Sequence, residues 1–244
     1  MNRSIILENW LKNDSRPVSV DIDCAVYNHG KYLRKALDGM LMQETTFPVR
    51  IIIHDDASTD NSAEIIHEYQ TRFPQKIVTV FEKENLYQNG KSVWAKMFPF
   101  FTAKYIAFCE GDDYWIDNKK LQKQVEYLEK NPDCISVYHN IIPVDENGEY
   151  KVDLRRGYYL LKEGDYTKRE IENCELKTQT ASLVMRNFYP WMTDKDRNFY
   201  EKIKCNGDLK LLVMCGLLGR VHYLPEVMSA YRRVIMVPLS RPIS

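Results

Sequence analysis

The 244-residue chain has no apolar run approaching the roughly 18 residues that a membrane-spanning helix needs, so no span is expected. It has no CxxC among its six cysteines, and its five histidines form no HExxH or paired-ligand pattern. Those absences argue against a structural zinc site and against a disulfide framework, and the cysteines read as reduced thiols. No G-x-G-x-x-G follows the first predicted strand, so the dinucleotide-binding fingerprint is missing. Charge of neither sign dominates: Lys+Arg and Asp+Glu are both 34, which gives no electrostatic hint of a nucleic-acid partner. There is no internal repeat and no low-complexity linker. Residues 1–17 carry only Ile5-Ile6-Leu7 as an apolar core, too short for a signal peptide, and a cytoplasmic location is the expectation.

The chain does have short apolar runs alternating with amphipathic stretches. Strands are predicted over 18–26, 49–55, 76–82 and 103–109, and helices over 31–43, 60–73, 91–100 and 118–130. This alternation implies an α/β fold with a mostly parallel central sheet flanked by helices. A further strand is expected over 133–142 and another over 180–185, with an apolar helix over 209–218 closed by Gly219. Residues 150–178 look charged and irregular. The expected organisation is a lead segment (1–17), an α/β region (18–145), a smaller α+β region (146–233) and a tail (234–244). That tail mixes basic and apolar residues, which leaves peripheral membrane contact open beside a frayed end.

Two of the strands end in acids. Ala103 to Cys109 runs into Glu110-Gly111-Asp112-Asp113-Tyr114-Trp115, and Val49 to His54 runs into Asp55-Asp56-Ala57-Ser58-Thr59-Asp60. Carboxylates crowded at a buried strand end repel one another and lose hydration unless a cation or donor groups compensate. Mg²⁺ or Mn²⁺ prefers such oxygen ligands and bridges them to phosphates. On these residues alone, an acidic loop capping the next helix is an equal reading. A third strand ends at Tyr27-Asn28-His29-Gly30, where an aromatic can stack on a base or simply pack at a corner.

Taken together and in order, the Tyr27-Asn28 turn, the Asp55-to-Asp60 strand end and Glu110-Gly111-Asp112-Asp113 resemble family 2 glycosyltransferases of the A-type fold. The likeness is close over about 18–145 and looser at Asn206 to Leu209 and Leu224 to Arg233. It implies an inverting transfer of a sugar from a nucleotide-diphosphate donor, a UDP-sugar, to a glycan or lipid-linked acceptor in surface-polysaccharide or glycolipid synthesis. By the same resemblance Asp113 is the metal ligand for Mn²⁺ or Mg²⁺, and Asp112 contacts the ribose or assists the metal. Asp56 binds the base or ribose, and Val26, Tyr27 and Asn28 line the nucleotide. Val26 stands where members often carry Thr. Asp208 matches the place of the catalytic base, although without that resemblance it reads more readily as an acid stabilising a helix start by roughly 0.3–1 kcal/mol. Asp194 and Asp196, expected in a charged loop, are the fallback candidates. Arg232-Arg233 is followed by Val234 where relatives often carry a nearby His. That departure keeps open a weakly active or non-catalytic nucleotide- or carbohydrate-binding homologue. A sugar-phosphate nucleotidyltransferase fits less well, because no basic glycine-rich diphosphate loop is present.

Overall fold

The computed structural model describes residues 14–90, 93–150, 162–173, 175–176, 179–202 and 207–233. The first half follows the predicted alternation. Strands β1 (Val20–Val26), β2 (Val49–Asp55), β3 (Ile77–Phe81) and β4 (Tyr105–Phe108) are joined by helices α1 (Leu33–Leu41), α2 (Ser62–Arg72) and α3 (Val93–Met97). Their order in the sheet is β3-β2-β1-β4, all parallel. The chain therefore walks outward through β2 and β3, then returns to the other side of β1. That reversal opens a crevice at the carboxyl ends of β1 and β4, the place where open α/β sheets bind ligands.

Side-chain alternation explains why these strands are buried on both sides. Val20, Ile22, Cys24 and Val26 pack with Ile51 and Ile53 against Leu33, Leu37 and Met40 of α1 and Ile65 and Ile66 of α2. The other face carries Ile52, Ile106 and Phe108, covered by Met97 and Phe98. The predicted helix over 91–100 is shorter, because Pro99 shifts its last turn into a 3-10 turn over Phe98–Phe100.

The second half completes the sheet with mixed pairing. After the two-residue β5 (Tyr114–Trp115) and α4 (Lys120–Lys130) come β6 (Cys134–Val144), β7 (Gly164–Tyr166), α5 (Lys168–Glu172) and β8 (Val184–Arg186). Then follow α6 (Asp194–Lys202), α7 (Gly207–Leu218) and β9 (Arg220–Arg232). β8 is antiparallel to both β4 and β6, while β6 runs parallel to β9. β9 takes β7 at one end and β5 at the other, both antiparallel. α7 is apolar on nearly every side and packs Leu211, Leu212, Met214, Cys215 and Leu218 into the second core, as a buried helix must.

Three further expectations change. The strand predicted over 180–185 begins with a 3-10 turn (Thr180–Ser182) and is extended only from Val184. Asp194 and Asp196 are not in a loop but in the first turn of α6. There the Asp196 carboxylate accepts from the Thr193 amide (3.0 Å) and hydroxyl (2.7 Å), a helix-capping arrangement. Part of the stretch read as irregular holds β7 and α5; 151–161, 174 and 177–178 lie outside the described residues, as do the lead segment through residue 13 and the tail 234–244.

Candidate active site

Two turns at the sheet's carboxyl edge are laced together by Asn28. It sits in the left-handed region (φ 57°), which its short amide side chain tolerates. Its Oδ1 accepts from the Thr59 amide at 2.7 Å and the Asp60 amide at 3.3 Å, while its own amide donates to Ser58 Oγ at 2.9 Å. The His29 amide donates to Ser62 Oγ and the Gly30 amide to Asp60 Oδ2. Gly30 is needed for closeness, since a Cβ there would meet Asn61 Oδ1 at 1.9 Å. Asn28 thus fixes the β1 turn against the β2 turn.

Asp56 is buried, and its carboxylate faces the loop after β3. Oδ1 accepts from the Leu86 amide (2.7 Å) and Oδ2 from the Tyr87 amide (3.1 Å). The next residue, Gln88, donates to the Tyr27 hydroxyl at 3.3 Å. Asp56 therefore anchors the loop that runs beside Tyr27. The Val26 side chain is in the core, and its carbonyl accepts from the Asp56 amide.

The acidic motif turns sharply out of β4. The Cys109 and Gly111 amides donate to the carbonyls of Asp23 and Ala25, extending the β1 pairing past the strand end. A Cβ at Gly111 would lie 2.9 Å from His29 Nδ1 and 3.1 Å from Val26 Cγ2, so only glycine lets the motif approach β1 this closely. Carboxylate oxygens of Glu110, Asp112 and Asp113 all lie within 4.8 Å of one another. Asp113 Oδ1 accepts from the Arg232 amide at 2.7 Å, and Arg232 Nε donates to the Asp112 carbonyl at 2.9 Å. The Arg232 guanidinium also donates to the Asp145 carbonyl (2.8 Å) and sits 4.3 Å from the Tyr32 ring centroid. His29 Nε2 is 3.9 Å from Asp112 Oδ2.

The electrostatics of the cluster are uncompensated. Burial first, then Asp112 and Glu110, push the Asp113 carboxyl well above its ordinary value, and the Arg232 amide and guanidinium only partly oppose this. Glu110 is pushed up to about 8, by burial and then by the charges of Asp208, Asp112 and Asp23. Asp208, in the first turn of α7, is thereby placed within electrostatic reach of the acidic motif. Three hard oxygen donors this close, with Glu110 and Asp113 held above their normal pKa, fit a Mg²⁺ or Mn²⁺ ion in donor type and charge. The fallback acids are elsewhere: Asp196 is used as a cap, and the Asp194 side chain is 94% exposed. His222 is bound to Asp165 (2.7 Å) and Tyr127 (2.8 Å), at the opposite end of β9 from Arg232.

A family model described as Glycosyl transferase family 2 matches residues 24–190. The chain belongs to glycosyl transferase family 2. An uncharacterized protein of Mycobacterium tuberculosis is 34% identical over 218 residues, spanning 85% of this chain and 56% of that protein. An uncharacterized glycosyltransferase of Nostoc is 33% identical over 130 residues, 53% of this chain and 38% of its own length. The match thus spans little more than half of the first relative's length and well under half of the second's. Among solved structures, S. aureus TarS in complex with UDP-GlcNAc superposes with a TM-score of 0.63 at 17% identity, covering 88% of this chain and 59% of that one. A mannosyltransferase of Pyrobaculum calidifontis in complex with GDP-Man and Mn²⁺ gives 0.56 at 16% identity, covering 92% and 62%. Both share the fold.

Sequence reading did not assign a role to His29, Arg232 or the Leu86-Tyr87 amides. Arg232 is 119 residues from Asp113, and no local pattern marks a contact at that separation. His29 was legible only as a turn residue beside the Tyr27-Asn28 element.

Proposed function

We propose that this protein transfers a sugar from a nucleotide-diphosphate donor, a UDP-sugar, to a hydroxyl of a glycan or lipid-linked acceptor, with inversion at the anomeric carbon. The observation that carries this is the cluster of three carboxylates within 4.8 Å at the carboxyl end of β4, with Asp208 in electrostatic range. That cluster lies at the switch between β1 and β4, where a nucleotide has the Tyr27 ring on one side and the acids on the other. The complexes of TarS with UDP-GlcNAc and of the Pyrobaculum enzyme with GDP-Man and Mn²⁺ support both the donor class and the metal.

Asp113 and Asp112 would hold the ion. A bound divalent cation offsets the negative charge that builds on the departing diphosphate. Tyr27 packs on the base, and Asp56 keeps the flanking loop in place. The acceptor hydroxyl attacks the anomeric carbon from the face opposite the diphosphate. Its oxygen–carbon bond forms as the bond to the diphosphate oxygen breaks, and Asp208 takes the hydroxyl proton. Arg232 holds the acidic turn rigid through its bonds to Asp112 and Asp113.

Calorimetry with UDP in Mn²⁺ and in EDTA tests the site. UDP should bind tightly only with Mn²⁺, and Asp113→Ala should remove the metal-dependent part while the protein stays folded. Equal affinity in EDTA and Mn²⁺ sinks the proposal. Turnover with a UDP-sugar then separates an enzyme from a binding homologue. A product that keeps the donor's anomeric configuration defeats the inverting assignment.

A further inference from the structure

β1 carries two buried acids, and their surroundings differ. Asp21 is fully compensated: Arg50 makes a two-point contact at 2.8 and 2.9 Å, and the Thr102 and Ala103 amides donate at 2.7 and 2.9 Å. Asp23, two residues on and on the same face, is 4% exposed, and its Oδ1 has no hydrogen-bond partner among the described residues. Burial raises its carboxyl to about 7. A carboxyl left unpaired inside a protein costs stability, so its retention at this place calls for a partner that the free protein does not supply.

Its position says what that partner is. Asp23 pairs across to Phe108 and Ile52, so it lies on the face that continues into Glu110. Its charge acts on Glu110, as does that of Asp208. Trp94 packs at 4.7 Å on Phe108, and the start of α7 comes so near that a Cβ on Gly207 would lie 2.8 Å from Trp94 Nε1. Asp23, Phe108, Trp94, Glu110 and the Asp208 turn are therefore neighbours on one side of the acidic motif. On the neighbouring strand, His54 Nδ1 is also buried and without a partner among the described residues. Asp23 lies outside the three acids whose oxygens meet within 4.8 Å, so an ion held there is not its ligand. What remains is a neutral group rich in hydrogen-bond donors, delivered next to the acids and to Asp208.

We propose that Asp23 is a specificity-determining residue that accepts a hydrogen bond from a hydroxyl of the transferred sugar. This rests on the reading of the site as a nucleotide-sugar pocket. It predicts a division of labour: the Tyr27 and Asp113 side of the site recognises the nucleotide diphosphate, and Asp23 recognises only the sugar.

Calorimetry in Mn²⁺ with UDP, UDP-glucose, UDP-galactose, UDP-GlcNAc and UDP-GalNAc, and with GDP and GDP-mannose, tests this on wild type, Asp23→Asn and Asp23→Val. Wild type should bind at least one nucleotide sugar more tightly than the parent nucleotide. Asp23→Val should weaken that sugar nucleotide at least tenfold while leaving the parent nucleotide within twofold. Its melting temperature without ligand should equal or exceed that of wild type, because an unpaired carboxyl has been removed. Asp23→Asn, nearly isosteric, keeps an acceptor oxygen and loses only the charge; it guards against a folding failure of the valine variant and should show the same split in smaller degree. Equal weakening of both ligands, no weakening of either, or a wild type that gains nothing from the sugar overturns the inference and leaves the nucleotide site standing. A wild type that binds none of these nucleotides overturns the reading of the site, and this inference falls with it.

Discussion

Asp113 and Glu110 keep their protons to unusually high pH because each is buried beside other acids. A metal must displace those protons, so binding should strengthen with pH. Below the normal carboxylate range the site is protonated in both folded and unfolded chains. As pH rises toward about 8, the unfolded chain has already lost these protons while the metal-free folded protein retains them, so the free protein loses this share of its stability. A bound cation removes that penalty. The rise in melting temperature on adding Mn²⁺ should therefore grow between pH 6 and pH 8. Buried Lys120, held down to about 7, and His139, also held down, titrate in the opposite sense. They do so with or without metal and cancel in the difference. A Mn²⁺ shift that is flat over this range contradicts the assignment. Asp56 belongs to the same scale: each of its oxygens satisfies a backbone amide. Asp56→Ala should cost roughly 1–3 kcal/mol of stability for the amides left without an acceptor and weaken UDP in calorimetry. Loss of stability with unchanged UDP affinity would make it a loop anchor alone.

The turns between elements are held by geometry as much as by chemistry. Asn28 is both left-handed and the acceptor for the Thr59 and Asp60 amides. Asn28→Ala loses the hydrogen bonds and strains the backbone, which should cost about 2–3 kcal/mol. Asn28→Gly keeps the conformation and loses only the bonds, so it should cost less. Denaturant melts of the two variants check the order, and equal costs would mean that backbone strain contributes nothing. The first four strands were legible because apolar runs end at glycine, proline and acid clusters. β5 was not, because two residues carry no periodicity, and β7 was hidden by its short length in a charged stretch. α6 was missed because a run of charged residues resembles a loop until its capping contacts are seen.

At the scale of the molecule, the site is assembled from both halves of the chain. β4 brings the acids, β1 the aromatic turn, β9 the arginine, and α7 the acid at 208. Asp208→Asn keeps the shape and cannot take a proton at neutral pH. Transfer should fall by roughly 10²–10⁴ while UDP affinity in Mn²⁺ changes little. Near-normal transfer would remove Asp208 from the mechanism. By itself the sequence determined the α/β class, the three strand-end motifs and the family, because these are local patterns of polarity and turn chemistry. Only the tertiary structure decided that Arg232 locks the acidic turn, that Asp56 serves a loop, and that Asp21 is paired while Asp23 is not. Those facts depend on which strands become neighbours, and pairing over such separations leaves no periodic trace in the chain.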